Sequence, residues 1–386
     1  MSLFLLCALC ACVVTIYSTV ELILGLKKMV SLGDVDLSSG GDGPRVSIIV
    51  PACNEELNIE KGLLSLLSQH YENLEIIVVD DRSTDSTANI LIRMQNSYPQ
   101  LVVHTVTGLP DGWMGKSHAL SVGASLATGE YLLFTDADTV MEETTVSRAV
   151  HYMKTRNADH LTLIFSNSSH NWLLDCLISD TGAGLLLMFK PWRVREKKSR
   201  FFIGVGAFNL LKGSVYRAVG GHETIRMHPI DDMMLGKVVK KNGYSPECLL
   251  AGDYVRVPWY HSVSAMINGL MKNMFAVVHY RLSLIPFLLV GVTIVSVFPL
   301  WGMIFGSGYV RFFCLIALGV RIMLFYGGMK YQRLPAWYVV GSLFSPYITL
   351  YIIIKSTMTT IINGGIEWRG TVYSLDEMKK SEPFLF

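Results

Sequence analysis

The sequence predicts an α/β domain built on a mostly parallel sheet, joined to α-helical segments that cross or lie on a membrane. Three observations predict this. The chain is 51% apolar and only 17% charged, with a mean hydropathy of +0.39, whereas soluble domains carry about 25% charged residues. The apolar excess gathers at the two ends. Between them, short apolar runs alternate with helical patterns, and acidic residues follow the runs. At 386 residues there is room for roughly two domains of about 100–200 residues each. Lys and Arg number 33 against 31 Asp and Glu, a net charge of +2, so no overall field favours nucleic acid. Seven cysteines, an odd number spread over a long chain, do not form a disulfide framework.

The first element is residues 1–28. Residues 3–20 carry no charge and the apolar run continues past Glu21 to Leu26, long enough for a helix to cross a bilayer. A cleaved signal peptide needs basic residues ahead of its apolar core; here Lys27 and Lys28 come after it. The segment therefore reads as an uncleaved anchor, and the positive-inside rule puts the chain from residue 27 onward in the cytoplasm.

The C-terminal third, 261–362, reads as a second membrane region. Residues 284–310 are charge-free, 312–329 are apolar apart from Arg321, and 334–354 are charge-free again. The first two make a hairpin that returns Lys330 and Arg333 to the cytoplasmic side. Pro346 interrupts the third, and a full crossing would strand Lys355, Arg369, Lys379 and Lys380 outside. Residues 334–362 are therefore expected to re-enter, leaving 363–386 as a cytoplasmic tail that a tag at Phe386 would report. The expectation is an integral membrane protein with its α/β domain in the cytoplasm.

That domain occupies 45–260. VSIIV (46–50), EIIVV (75–79), LVVHTV (101–106) and YLLFT (131–135) read as buried strands, and 55–69, 84–97 and 116–128 have helical spacing. Such alternation implies right-handed crossovers, with ligands beyond the carboxyl ends of the strands. Carboxylates lie there: Glu55 beside Asn54 after the first run, Asp80 and Asp81 after the second, Asp136 and Asp138 after the fourth. Thr84 and Asp85 suit a turn or helix cap. Two acidic clusters at one rim cost free energy unless a cation binds there. In FTDADT (134–139) two carboxylates one residue apart on an extended segment point the same way and suit Mg²⁺ or Mn²⁺ bridging a diphosphate.

VSIIVPACNEE, VVDDRSTDST and GEYLLFTDADT, in that order and spacing, resemble the family 2 glycosyltransferases of GT-A fold, across roughly 45–260. DGWMGKSHAL (111–120), FNLLKGSVYRAVGGHE (208–223) and EWRGTVY (367–373) are similar to the hopanoid-associated, carotenoid and ceramide glycosyltransferases. The resemblance implies that Asp80 and Asp81 hold the base and ribose of a nucleotide-sugar donor, with Pro51, Asn54 and Glu55 lining that pocket, and that Asp136 and Asp138 hold the metal on its diphosphate. IDDMML (230–235) stands where the family keeps its acidic pair. The usual Glu-Asp is Asp231-Asp232 here, and the base carries over to Asp232.

Glycosyl transfer needs a base for the acceptor hydroxyl, cations on the departing diphosphate and exclusion of water. One base opposite the leaving group implies direct displacement and inversion; no second nucleophile is visible. Lys116 is either a donor-phosphate contact or a surface lysine. The family's Gln/Arg-x-x-Arg-Trp motif is missing after the acidic pair, and Lys272 is either its cationic substitute or a lysine snorkelling at the membrane surface. Trp368 and Arg369 would fold back over the donor, one stacking and one binding phosphate. Residues 171–192, apolar at helical spacing with Trp172 and Trp192 near the ends, read as too polar to span and suited to the interface. RVREKKSR (193–200) would then meet anionic lipid. Together these features predict metal-dependent transfer from a nucleotide sugar, taken as a UDP-sugar, to a membrane lipid hydroxyl. The alternatives are a processive polysaccharide synthase and a non-catalytic membrane scaffold.

Overall fold

The computed structural model describes residues 2–37, 43–168 and 171–384; Phe386 and the other four ranges' neighbours at 1, 38–42, 169–170 and 385 lie outside the described residues. The chain opens with α1 (Leu3–Leu26), started by Ser2, whose side chain accepts from the Leu5 N–H. One eight-stranded sheet follows, in the spatial order Leu101–Val106, Leu74–Asp81, Val46–Ala52, Tyr131–Phe134, Asn209–Lys212, His160–Asn167, Pro246–Val257 and Val140–Met141. Its first half is β1 (Val46–Ala52), β2 (Leu74–Asp81), β3 (Leu101–Val106) and β4 (Tyr131–Phe134), all mutually parallel. The crossovers are α2 (Ile59–Leu67), α3 (Thr87–Ser97) and α4 (Gly115–Leu126). Alternation splits the strand residues between the two faces. Ile48, Val50, Ile76 and Val78 join one core cluster. Ile49 faces the other way, where a Cβ at Gly123 of α4 would meet its side chain, leaving helix and strand close-packed.

The second half departs from the expected parallel sheet. It holds β5 (Val140–Met141), β6 (His160–Asn167), β7 (Asn209–Lys212) and β8 (Pro246–Val257), with α5 (Thr145–Arg156), α6 (Trp172–Phe189), α7 (Gly213–Ala218) and α8 (Asp231–Lys241) between them. β7 runs antiparallel to both β4 and β6, and β5 antiparallel to β8. The sheet is therefore mixed. β5 and β7 have two and four residues, too short for an alternation pattern to declare them.

Beyond the sheet come α9 (Val263–Val277), α10 (Ile285–Val292), α11 (Phe298–Phe305), α12 (Gly308–Tyr331) and α13 (Ser345–Ile362). A π-helical turn over Thr293–Val297 joins α10 to α11. Among the described residues four helical segments are long and apolar enough to cross a membrane: Leu3–Leu26, Trp172–Arg193, Leu282–Phe305 and Gly308–Tyr331. A fifth would be Ala336–Leu343 with α13, bent by 46° at Phe344. Trp172–Arg193 is thus less polar than the sequence reading had it. Even so, β6 before it and β7 after it are hydrogen-bonded neighbours, so α6 returns the chain to the side it left. Arg321, the charge in the middle of α12, pairs with Asp180 of α6 at 2.9 Å, and Ser345 at the bend donates to the same carboxylate at 2.6 Å. Charges among apolar helices persist only when paired in this way.

The chain ends in a hairpin of β9 (Gly365–Trp368) and β10 (Thr371–Ser374). Its two-residue turn, Arg369 and Gly370, has φ of 50° and 75°, as a type I′ turn requires. An arginine in that region is strained by about 1–2 kcal/mol, so its side chain must be held elsewhere. It is held on the α/β domain, which places the tail on that domain's side of the molecule.

Candidate active site

The carboxyl ends of β1, β2 and β4 open into one cleft. Asp80 and Asp81 are the last residues of β2, both buried. Arg82, which follows in the left-handed region at φ 57°, turns back onto Asp81 with two bonds of 2.8 and 3.0 Å. Asp80 Oδ1 is buried with no hydrogen-bond partner among the described residues. Asn54 Oδ1 accepts from the Thr84 and Asp85 N–H groups, tying the loop after β1 to the loop after β2. Asp85 accepts from the N–H groups of Glu56 and Thr87, the turn role read for it. Pro51 is half-buried on β1.

FTDADT is not extended. β4 stops at Phe134, and the Thr139 N–H bonds back to Asp136 C=O at 3.2 Å, so the two carboxylates share a turn, not an alternating strand. Asp138 is held well above the usual carboxylate range, first by burial and then by Asp136 and Glu55.

The acidic pair comes in from the other side. Asp231 and Asp232 are the first two residues of α8, where the helix dipole favours negative charge. Asp232 accepts from its neighbour Met233 N–H and from Gly206 N–H, both at 2.8 Å. Burial and Asp231 still push its carboxyl up to about 6. A Cβ at Gly206 would sit 2.6 Å from Asp136 Oδ2, so any larger residue there would displace that carboxylate. Lys116, in the first turn of α4, joins the two sides. Its Nζ lies 2.6 Å from Asp136 Oδ1 and 3.7 Å from Asp231 Oδ2. Burial opposes its charge, but Asp136, Asp231 and Asp232 more than offset that and raise its pKa. It is no free surface lysine.

These residues, with Thr135, Asn209 and His222, line one small cavity. His222 is buried and pushed down to about 4 by burial, hence neutral. Its Nδ1 lies 2.8 Å from the Tyr216 hydroxyl. Arg82, Asn209 and His222 were not among the expected site residues. Arg82 stands beside two aspartates and His222 within the GGHE stretch, but neither position declares a partner.

The C-terminal hairpin closes over the other end of the cleft. Arg369 donates to the Cys53 carbonyl and to Glu55 Oε1, each at 2.5 Å, and to the Asn54 carbonyl at 3.3 Å. Gly115 N–H donates to the Tyr373 hydroxyl at 3.1 Å and Arg82 to Thr371 at 3.4 Å. Trp368 lies beneath the ammonium of Lys272. Asp136, Asp231 and Asp232 therefore share a cleft whose far end carries Asn54, Glu55 and Arg369. His261 is exposed, and His118 packs edge-on against Trp113.

For a divalent cation the donors on offer would be Asp136 and Asp138. Among the described residues no third His, Cys, Asp or Glu converges with them. Two carboxylates completed by water and phosphate oxygens are an ordinary Mg²⁺ or Mn²⁺ arrangement, and the crowding that raises Asp138 is the charge such an ion would relieve. The residues fit the ion.

A family model described as Glycosyl transferase family 2 matches residues 47–219. The chain is 28% identical over 239 residues to a 4,4'-diaponeurosporenoate glycosyltransferase of Staphylococcus haemolyticus, covering 59% of this chain and 60% of that protein. It is 35% identical over 112 residues to "Probable glycosyltransferase YdaM" of Bacillus subtilis, covering 28% of this chain and 26% of that one. The chain thus spans at most about 60% of the length of these curated relatives. Among solved structures it is similar to the mannosyltransferase PcManGT of Pyrobaculum calidifontis in complex with GDP-Man and Mn²⁺, at 18% identity and TM-score 0.56, over 89% of this chain and 99% of that one. That likeness is one of fold.

Proposed function

From the premise that residues 47–219 form a family 2 glycosyltransferase domain of GT-A fold, we propose that the protein is an inverting transferase that moves a sugar from a nucleotide-sugar donor to the hydroxyl of a membrane lipid. The observation that carries this reading is the convergence of Lys116, Asp136, Asp231 and Asp232 on one cavity, in a domain whose neighbouring helices are long and apolar enough to cross a membrane.

Asp232 is the base. Its oxygens each accept one backbone N–H and keep further lone pairs for an incoming O–H. The acceptor oxygen attacks the anomeric carbon as its proton passes to Asp232. The sugar–phosphate bond breaks from the opposite face with its electron pair, and the configuration inverts. Asp231, through Lys116, fixes that lysine's place. Asp80 and Asp81 receive the nucleoside beside Pro51, Asn54 and Glu55, with Arg82 setting the orientation of Asp81. Trp368 and Arg369 cover this pocket. Asp136 and Asp138 would hold Mg²⁺ or Mn²⁺, which supplies positive charge to the donor diphosphate when bound. The fold neighbour was solved with GDP-Man and Mn²⁺.

A lipid acceptor is supported by the carotenoid substrate in the name of the first relative. It is also supported by α6, an apolar helix between two strands, β6 and β7, that are neighbours in the sheet, followed by the exposed Lys197, Lys198 and Arg200. We place the α/β domain in the cytoplasm. Since the hairpin packs on that domain, α10–α11 and α12 cross as a pair, and the segment bent at Phe344 re-enters.

Mass spectrometry of lipids from cells expressing the wild type or Asp232→Asn tests the reading. One added hexose on a lipid, absent from the variant, is the expected result. A ladder of sugars would replace it with a processive synthase, and identical lipid profiles would reject transfer altogether.

A further inference from the structure

The transfer end of the cleft holds more negative charge than Lys116 can balance, and bond breaking adds to it on the departing diphosphate. A second cation lies within electrostatic range. Lys272, on α9, interacts with Asp231, Asp232 and Asp136 as well as Lys116, and burial first, then Lys116, push its pKa down to about 8. Among the described residues no carboxylate lies within ion-pair distance of it. Its ammonium instead stands over the Trp368 ring, 3.9 Å from the centroid. A lysine snorkelling to headgroups keeps its charge in water; this one is aimed inward, over an aromatic face that favours the charged form.

Trp368 is itself well placed. It ends β9, next to Arg369, which is fastened to Glu55 and to the Cys53 and Asn54 carbonyls. Tyr373 and Thr371 of β10 are fastened to Gly115 and Arg82. The hairpin thus spans from the nucleotide end of the cleft to Lys272.

Resting on the glycosyltransferase reading, we propose that Lys272 binds the leaving nucleoside diphosphate, in place of the absent Gln/Arg-x-x-Arg-Trp motif, and that Trp368 is the residue that positions it. The sugar C1–O bond breaks with its electron pair on the diphosphate oxygen. The Lys272 ammonium donates N–H hydrogen bonds to that diphosphate, and no proton need change owner. An α9 lysine and a tail hairpin nearly 100 residues apart in sequence (272 and 368) would then do together what one short motif does in relatives.

The test uses the full-length protein in nanodiscs with Mg²⁺, titrated with UDP and GDP and with uridine and guanosine. Lys272→Met should weaken binding of the preferred diphosphate by about tenfold or more while its nucleoside binds within twofold of wild type. Lys272→Arg should restore most of the loss. Trp368→Leu should fall between, with Trp368→Phe close to wild type, because only an aromatic face holds the ammonium. Unchanged diphosphate affinity in Lys272→Met, or an equal loss for diphosphate and nucleoside, overturns the assignment. A wild type that binds neither diphosphate overturns the underlying glycosyltransferase reading instead.

Discussion

The two ends of the donor cleft are comparably acidic in sequence but are built differently. At the nucleotide end two carboxylates each have a guanidinium of their own: Asp81 has Arg82 at 2.8 Å and Glu55 has Arg369 at 2.5 Å. At the transfer end Asp136 and Asp231 share the single ammonium of Lys116, and Asp138 and Asp232 are both held above the usual carboxylate range. The guanidiniums fix the paired acids in place as a frame, although burial still raises the Glu55 carboxyl against the pull of Arg369. Where several acids share one cation, a ligand's charge or a proton can be accommodated, and a cluster of perturbed carboxylates in a cleft marks a candidate reacting end.

The sharpest way to break this comparison is Asp232→Asn. Loss of the base should lower kcat by about 10²–10⁴-fold while nucleotide affinity stays within twofold, as calorimetry would read. Full turnover would move the base elsewhere. Asp138→Ala or chelation with EDTA should come next, lowering turnover at least tenfold, an expectation from the charge that a metal offsets; addition of Mn²⁺ should restore the chelated wild type but not the variant.

At the opposite end, Arg82→Met should act on binding alone. It frees Asp81 from its orienting partner, so the donor KM should rise about three- to tenfold, the worth of one charge-assisted contact at a partly exposed site, with kcat little changed. A large fall in kcat would erase the distinction between the ends. The smallest effect concerns pH. Asp232 must be ionised to act and its carboxyl is held up to about 6, so kcat/KM should rise from pH 5 to 7 and level off above. Lys116 pulls that value down; in Lys116→Met the rising limb should therefore move to higher pH. A limb that stays in place would separate Lys116 from the base.

Much of the parallel half was legible because its signals are local. VSIIV, EIIVV and YLLFT are long apolar runs bounded by polar residues, and each became a strand within two residues of its expected limits. The clustering of Asp136 with Asp232 was foreseeable only through the family resemblance, since 96 positions separate them. Arg82, His222 and the inward aim of Lys272 were not legible. Each depends on what stands opposite: Asp81, Tyr216 and Trp368. The antiparallel half was hidden for a related reason. β7 owes its existence to pairing with β4 and β6, not to its four residues.

By itself the sequence determined where chain could be buried in lipid or in a sheet, and which acids follow the strands, because periodicity and apolarity act over a few neighbouring residues. Only the tertiary structure decided which acids keep a private counter-ion and which share one, that FTDADT turns, and that the tail hairpin reaches back to the cleft. Ion pairs and cation–π contacts are set by distances across the fold, and those distances exist only once the chain has packed.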